Sequence, residues 1–149
     1  MSYATIEVAL LAVLQGTTSF SSSNCVRGHF RPMASKSESV TLTPGAVTGR
    51  DSHGIRTVTT DWNINIQLFV RANRANVEDT YADIESLRQE LIDEVDANPT
   101  LNGTANVVLA RIIDASEPDW LQRGRSNIWT QQMRCLVRER VLITGGEYA

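Results

Sequence analysis

Polar and apolar residues alternate most regularly between positions 56 and 71. Val58, Thr60, Trp62, Ile64, Ile66, Leu68 and Val70 fall on one parity, and Thr57, Thr59, Asp61, Asn63, Asn65, Gln67 and Arg71 on the other. A period of two sustained over this length predicts a long β-strand with one dry face, Phe69 being the single exception. A second alternating run, Asn127 to Ile143, places Trp129, Met133, Cys135, Val137 and Val141 on one face. Thr130, Gln132, Arg134, Arg138 and Arg140 share the other face with Leu136. Shorter strands are predicted at 40–43, where Val40 and Leu42 alternate with Thr41 and Thr43, and at 105–114 (ANVVLARIID).

Two segments carry the helical period instead. Residues 2–15 place Tyr3, Ile6, Leu10, Val13 and Leu14 along one stripe, with Ser2 as a candidate N-cap. Val8, Leu11 and Ala12 make the far side apolar too, leaving Thr5, Glu7 and Gln15 as its polar positions, so this helix needs cover on more than one side. The second helix follows the long strand. Asn76 caps it, Asp79 sits at its third position, and Val77, Tyr81, Ile84, Leu87, Leu91 and Val95 form its buried stripe. Asp79, Asp83, Glu90 and Asp93 project from the opposite side, and Arg88 falls inside the apolar stripe, where its stem packs and its head seeks water or a partner. Asn98-Pro99 stops this helix and Asn102-Gly103 turns the chain.

Between these elements the Ser-rich stretch 16–39 and the Gly- and Pro-bearing stretch 43–54 (TPGAVTGRDSHG) show no period and read as long loops, the second as a long turn or a projecting hairpin tip. A polar loop is expected at 115–127. The order helix, strands, helix, strands over 149 residues predicts one α+β domain, an antiparallel or mixed sheet packed by two helices, spanning 1–149 with long loops at 16–39 and 43–54.

Charge changes the picture more by its distribution than by its sum. The net formal charge of −3 has the wrong sign for holding nucleic acid by phosphate neutralisation. Residues 77–96 hold eight acidic side chains and one base, Arg88, whereas 123–140 hold five arginines and one acid, Glu139. An acidic helix and a basic strand are complementary. If they lie on opposite flanks, the natural self-contact is head to tail and closes into a ring when the rotation permits.

Candidate chemistry is sparse. No Gly-rich phosphate loop, HExxH or GxSxG occurs, and Cys25, His29 and His53 are scattered through predicted loops without the paired spacing of a zinc site. They are the only basis for reading a small enzyme. Cys135 alternates into the dry face as a small core residue. No apolar run approaches a membrane span, and the run Val8 to Leu14 has no Lys or Arg before it, so neither a membrane helix nor a signal peptide is expected. No cofactor and no metal are implied.

The order and size of these segments resemble the tail terminator (tail-completion) proteins of long-tailed bacteriophages, the group of lambda's minor tail protein U. The resemblance covers most of the chain: the apolar first helix, the loop-rich segment, DWNINIQLFVR, NVEDTYADIESLRQELIDEVDANPTLNG, and a closing strand pair ending IWTQQMRCLVRERVLI. LIDEVDANPTLNGTANVVLARI is its most family-like stretch. The resemblance implies an α+β subunit of the virion tail or neck, made in the host cytoplasm, that forms a hexameric ring on the tail tube. That ring would end polymerisation of the tube protein and meet the head-tail connector, or stopper, while genomic DNA passes through its lumen unread. Neck and minor tail proteins of the same size share the pattern. Arg134, Arg138 and Arg140 on the strand, and Asp79, Asp83, Glu90 and Arg88 on the helix, are the residues expected at ring or tube contacts.

Overall fold

The computed structural model describes residues 3–28, 38–53, 57–71, 77–123 and 126–142, with backbone alone at 48–53, 77–79, 121–123 and 126. In chain order these form α1 (Tyr3–Leu14), β1 (Cys25–Arg27), β2 (Glu38–His53), β3 (Thr57–Arg71), α2 (Val77–Ala97), β4 (Val107–Ala115), β5 (Asp119–Arg123) and β6 (Ser126–Leu142). The architecture is α+β: one mixed six-stranded sheet carries two helices.

The alternating run of β3 sits where its pattern demands, inside the sheet between β2 and β6. Strand order is β1-β2-β3-β6-β4, and β5 also pairs with β6. Every residue of β6 from Ile128 to Leu142 faces β3 on one side, so β4 and β5 share its other side, β4 against Met133 to Glu139 and β5 against Ser126 to Thr130. All pairs are antiparallel except the short parallel contact of β1 with β2. Register stacks apolar residues in rows across the strands. Leu42, Ile66 and Met133 form one row, and Ile64, Cys135 and Ile112 another.

Both helices cover that dry face. Ile6, Leu10, Val13 and Leu14 of α1 and Ile84, Leu91 and Val95 of α2 join Val40, Leu42, Ile64, Ile66, Leu68, Met133, Cys135 and Val137 in one buried cluster. Each fully buried aliphatic side chain contributes about 1.5–3 kcal/mol relative to exposure, which fixes the helices to this side. Among the described residues the opposite face carries no helix.

Several sequence-based expectations change. The stretch 43–54 is not a free loop: β2 runs through it to His53, paired with β3, past a bulge between Pro44 and Val47 and a second irregularity before Gly49. The bulge hides the period in the sequence, because inserted residues shift the parity of everything after them. Gly45 is required there, since a Cβ would stand 2.6 Å from the backbone oxygen of Asn63. The Asn63 amide in turn donates to the Ala46 carbonyl at 2.7 Å. Within the predicted loop 16–39, β1 pairs with β2, too short a strand to show a period. Asn24 orders the turn before it, accepting from the Ser21 N–H at 2.8 Å and donating to the Ser19 carbonyl at 3.0 Å, over a buried Phe20. The loop expected at 115–127 contains β5. Glu7, read as polar surface, is 6% exposed and ion-paired with Arg27 at 3.0 Å. The proposed caps Ser2 and Asn76, and residues 29–37, lie outside the described residues.

Leu101, with φ of 52°, adopts the left-handed region after α2, followed by Asn102 and Gly103 at 59° and 76°. The conformation costs a leucine roughly 1–2 kcal/mol. Burial of its side chain, 2% exposed, offsets that cost and anchors the α2–β4 turn in the core.

Gly45→Ala is expected to lower the unfolding free energy by about 1–3 kcal/mol, because the crowding atom is backbone and cannot step aside. Urea denaturation followed by circular dichroism measures it, and an unchanged midpoint would refute the close approach.

Candidate functional site

The fold separates the two charged elements. On β6 the residues of even number point away from the helices, so Arg134, Arg138 and Arg140 share the helix-free face with Asp61, Asn65 and Gln67 of β3 and Arg111 and Asp114 of β4. The acidic helix α2 lies on the other face, with Asp83 and Asp93 exposed. The side chain of Asp79 is outside the described set.

The arginines are not equivalent. Arg138 lies opposite Asp61 in register and donates to both its carboxylate oxygens, at 2.8 and 3.1 Å. Arg134 faces Asp114 across the β4–β6 pair and donates to it at 2.6 Å. Two of the three positive charges are thus balanced by cross-strand partners on the same face. Arg140 is exposed and has no ion-pair partner among the described residues, which makes it the cation of this row available to another molecule. Arg111, also exposed, lies opposite Leu136 on β4, four positions along β6 from Arg140. The acidic side is likewise uneven. Glu90 accepts from the Ser19 N–H at 2.8 Å and from the Ser19 hydroxyl at 2.7 Å, so it ties the α1–β1 turn to α2. Asp93 accepts from Gln89 one turn earlier.

Arg88 is half-buried at a third place. It lines an open depression of about 410 Å³ between α2 and the sheet edge, with Ile92, Ile112, Ile113, Glu117, Pro118 and Gln131 around it. Two further depressions, of about 500 and 540 Å³, border the same Asp114–Pro118 connector from the helix-free side. Ser116 holds this connector to β6: its N–H donates to the Gln132 carbonyl at 2.7 Å, its hydroxyl accepts from the Gln132 N–H at 3.1 Å, and its carbonyl accepts from the Gln131 amide at 2.7 Å. Next to it Trp129 contacts Trp120 and Tyr81, with ring centroids 4.7 and 4.9 Å apart, and Trp120 and Tyr81 are both more than 40% exposed.

Sequence reasoning missed Asp61 and Asp114, because strand register decides which carboxylate meets which arginine and no spacing encodes it. It also passed over Gln131, whose odd position on β6 places it on the dry face between Trp129 and Met133. A polar residue on an apolar parity is a readable signal for a buried functional group.

Cys25 does not form a nucleophilic site. It is fully buried, and desolvation pushes its thiol up to about 12, which keeps it protonated and unreactive at neutral pH. Cys135 is pushed up to about 12 by the same cause. His29 is outside the described residues, and of His53 only the backbone, in β2, is described. Among the described residues no three His, Cys, Asp or Glu side chains are grouped to hold a metal ion. No helix among them is long and apolar enough to cross a membrane.

No family model and no curated protein matches the sequence. Among solved structures, a chain of the virion of a native gene transfer agent (GTA) particle is similar at 18% identity, covering 95% of this chain and 99% of that one, with a TM-score of 0.41.

Both thiols are expected to resist Ellman's reagent in the native protein at pH 8 and to react at once after unfolding. Their folded-state ionisation is raised above the ordinary value of 9.0, so their contribution to stability is intact below about pH 9 and is lost as pH rises from there towards 12. Stability curves at pH 7 and pH 10 check the sign. A gain on going to pH 10 would contradict it.

Proposed function

We propose that this chain is a structural subunit of a phage-like virion, a tail terminator that assembles into a hexameric ring on the end of a tail tube. In this reading the ring stops polymerisation of the tube protein and presents its other side to the head-tail connector. DNA passes through the lumen without being read.

The observation that carries this reading is the placement of both helices on one face of the sheet. It sets the acidic surface of α2 and the arginine-bearing face of β6 on opposite sides of one subunit. Arg134 and Arg138 are balanced within the subunit, but Arg140 faces away from the acidic surface of α2 and has no ion-pair partner among the described residues. It pairs with the acidic surface of a second copy head to tail, and such heterologous contacts close into rings when the rotation permits. The element order agrees with the tail-terminator resemblance of the sequence. The buried, protonated thiol of Cys25 favours an assembly protein over the enzyme reading.

Light scattering on the purified protein is expected to give a mass near six subunits, shifting towards monomer as salt rises and screens the contact. Arg140→Glu places a negative charge on the unpaired cation of the row. It is expected to weaken assembly roughly tenfold or more by like-charge apposition, with an unchanged melting curve. A protein that stays monomeric at every concentration, and does not bind the end of a tail tube, would overturn the proposal. So would a hexamer indifferent to both salt and Arg140→Glu, as regards the charged contact.

A further inference from the structure

The depression between α2 and the sheet edge contains polar groups left without partners. Arg88 is half-buried and makes no ion pair or hydrogen bond among the described residues, although it lines the same depression as Asp114 and Glu117. Asp114 is already engaged by Arg134. Gln131 is 3% exposed; its amide N–H donates to the Ser116 carbonyl, but its Oε1 has no hydrogen-bond partner among the described residues. An unpartnered buried acceptor costs about 1–3 kcal/mol, and a half-buried cation is held in place more firmly than a surface one. Around them Ile92, Ile112, Ile113 and Pro118 form an apolar wall, with Ile113 42% exposed. The matching occupant supplies a carboxylate to Arg88, backbone N–H groups to Gln131 and an apolar or aromatic side chain to the wall.

The chain itself carries such a segment beyond β6, in Gly145-Gly146-Glu147-Tyr148. Two glycines let the backbone approach a buried acceptor closely, and a carboxylate stands next to an aromatic ring. The segment cannot serve its own subunit. Gln131 and Leu142 are eleven positions apart on β6, roughly 35 Å of extended strand, and both stay paired with β3, at Leu68 and Thr57. Glu147 lies five residues past Leu142 and reaches about 18 Å at most. We propose that the Arg88–Gln131 depression is the receptor for residues 143–149 of a neighbouring copy, with Glu147 on Arg88. Donor and receptor occupy opposite ends of the same strand, so the contact is heterologous. It rests on the ring reading only for the closure of the chain of contacts, not for the docking itself.

The test uses the full-length protein, diluted until monomeric, titrated with a synthetic peptide of residues 142–149 (LITGGEYA) and read by tryptophan fluorescence, since Trp129 adjoins Gln131 on the same strand face. Binding is expected to saturate, to weaken roughly ten- to hundredfold with Arg88→Met, and to weaken similarly when the peptide carries Glu147→Gln. In the intact protein Glu147→Gln is expected to lower the oligomer mass at a given concentration. No binding, or binding indifferent to Arg88→Met with an unchanged melting curve, overturns the proposal. The two readings fail separately: a hexamer unaffected by Arg88→Met and Glu147→Gln sinks this contact and leaves the ring. Arg88-dependent peptide binding by a protein that never passes the dimer sinks the ring and leaves the contact.

Discussion

The packing of the molecule depends on the single dry face of β3. Ile64, Ile66 and Leu68 are fully buried, and every other strand and helix is placed relative to them. A slip of one residue against β2 or β6 would turn all three towards solvent and bring Asn63, Asn65 and Gln67 under the helices. The register is therefore held by the whole apolar layer rather than by the tips of the hairpins. This is why β2 tolerates a bulge at Pro44–Val47: the row of Val40 and Leu42 is already fixed before the irregularity begins, and beyond it the ladder resumes against Trp62 and Asp61.

One dry face also settles the electrostatics. With both helices on it, the other face is left to alternate residues that the sequence made polar, among them Asp61, Asn65, Gln67, Gln132, Arg134, Arg138 and Arg140. On a sheet the charges on neighbouring strands stand close enough to pair directly. Arg138 with Asp61 and Arg134 with Asp114 are the result, each partly exposed and so worth on the order of 1 kcal/mol at most. Their larger effect is on recognition. They reduce a row of three cations to one outstanding charge at Arg140, near the end of the strand.

The long elements were legible in the sequence because each is longer than the noise in its own period. β3 and β6 were read to within a residue or two over the described range, as were α1 and the end of α2. What was not legible falls into two physical kinds. Strands too short to show alternation, β1 and β5, exist because a neighbouring long strand offers them an edge. The distal half of β2 was hidden by its bulge. The candidate surfaces were legible by face but not by partner: parity placed Arg134, Arg138 and Arg140 together, while the carboxylates that neutralise two of them, and the Ser19 turn that occupies Glu90, depend on tertiary register.

The violations of the binary pattern are the most informative positions, because local rules are broken chiefly where structure or function compensates. Glu7, Gln131 and Glu139 all stand on buried faces, at 6%, 3% and 3% exposure. Glu7 is compensated at one oxygen: Arg27 reaches its Oε1 from β1 and joins the strand to α1 at a point where apolar packing alone would not specify the pairing, while its Oε2 has no hydrogen-bond partner among the described residues. Glu139 also has partners in the molecule. Gln131 is likewise half compensated. The Ser116 carbonyl accepts from its amide N–H, and its Oε1 has no donor among the described residues, in a depression that also holds an arginine without a partner among them. Two incomplete groups of complementary polarity, lining one depression with an apolar wall, are hard to account for as packing, since a leucine at 131 and a glutamate-paired lysine at 88 would serve a closed core better. They are accounted for if the depression is completed by another chain.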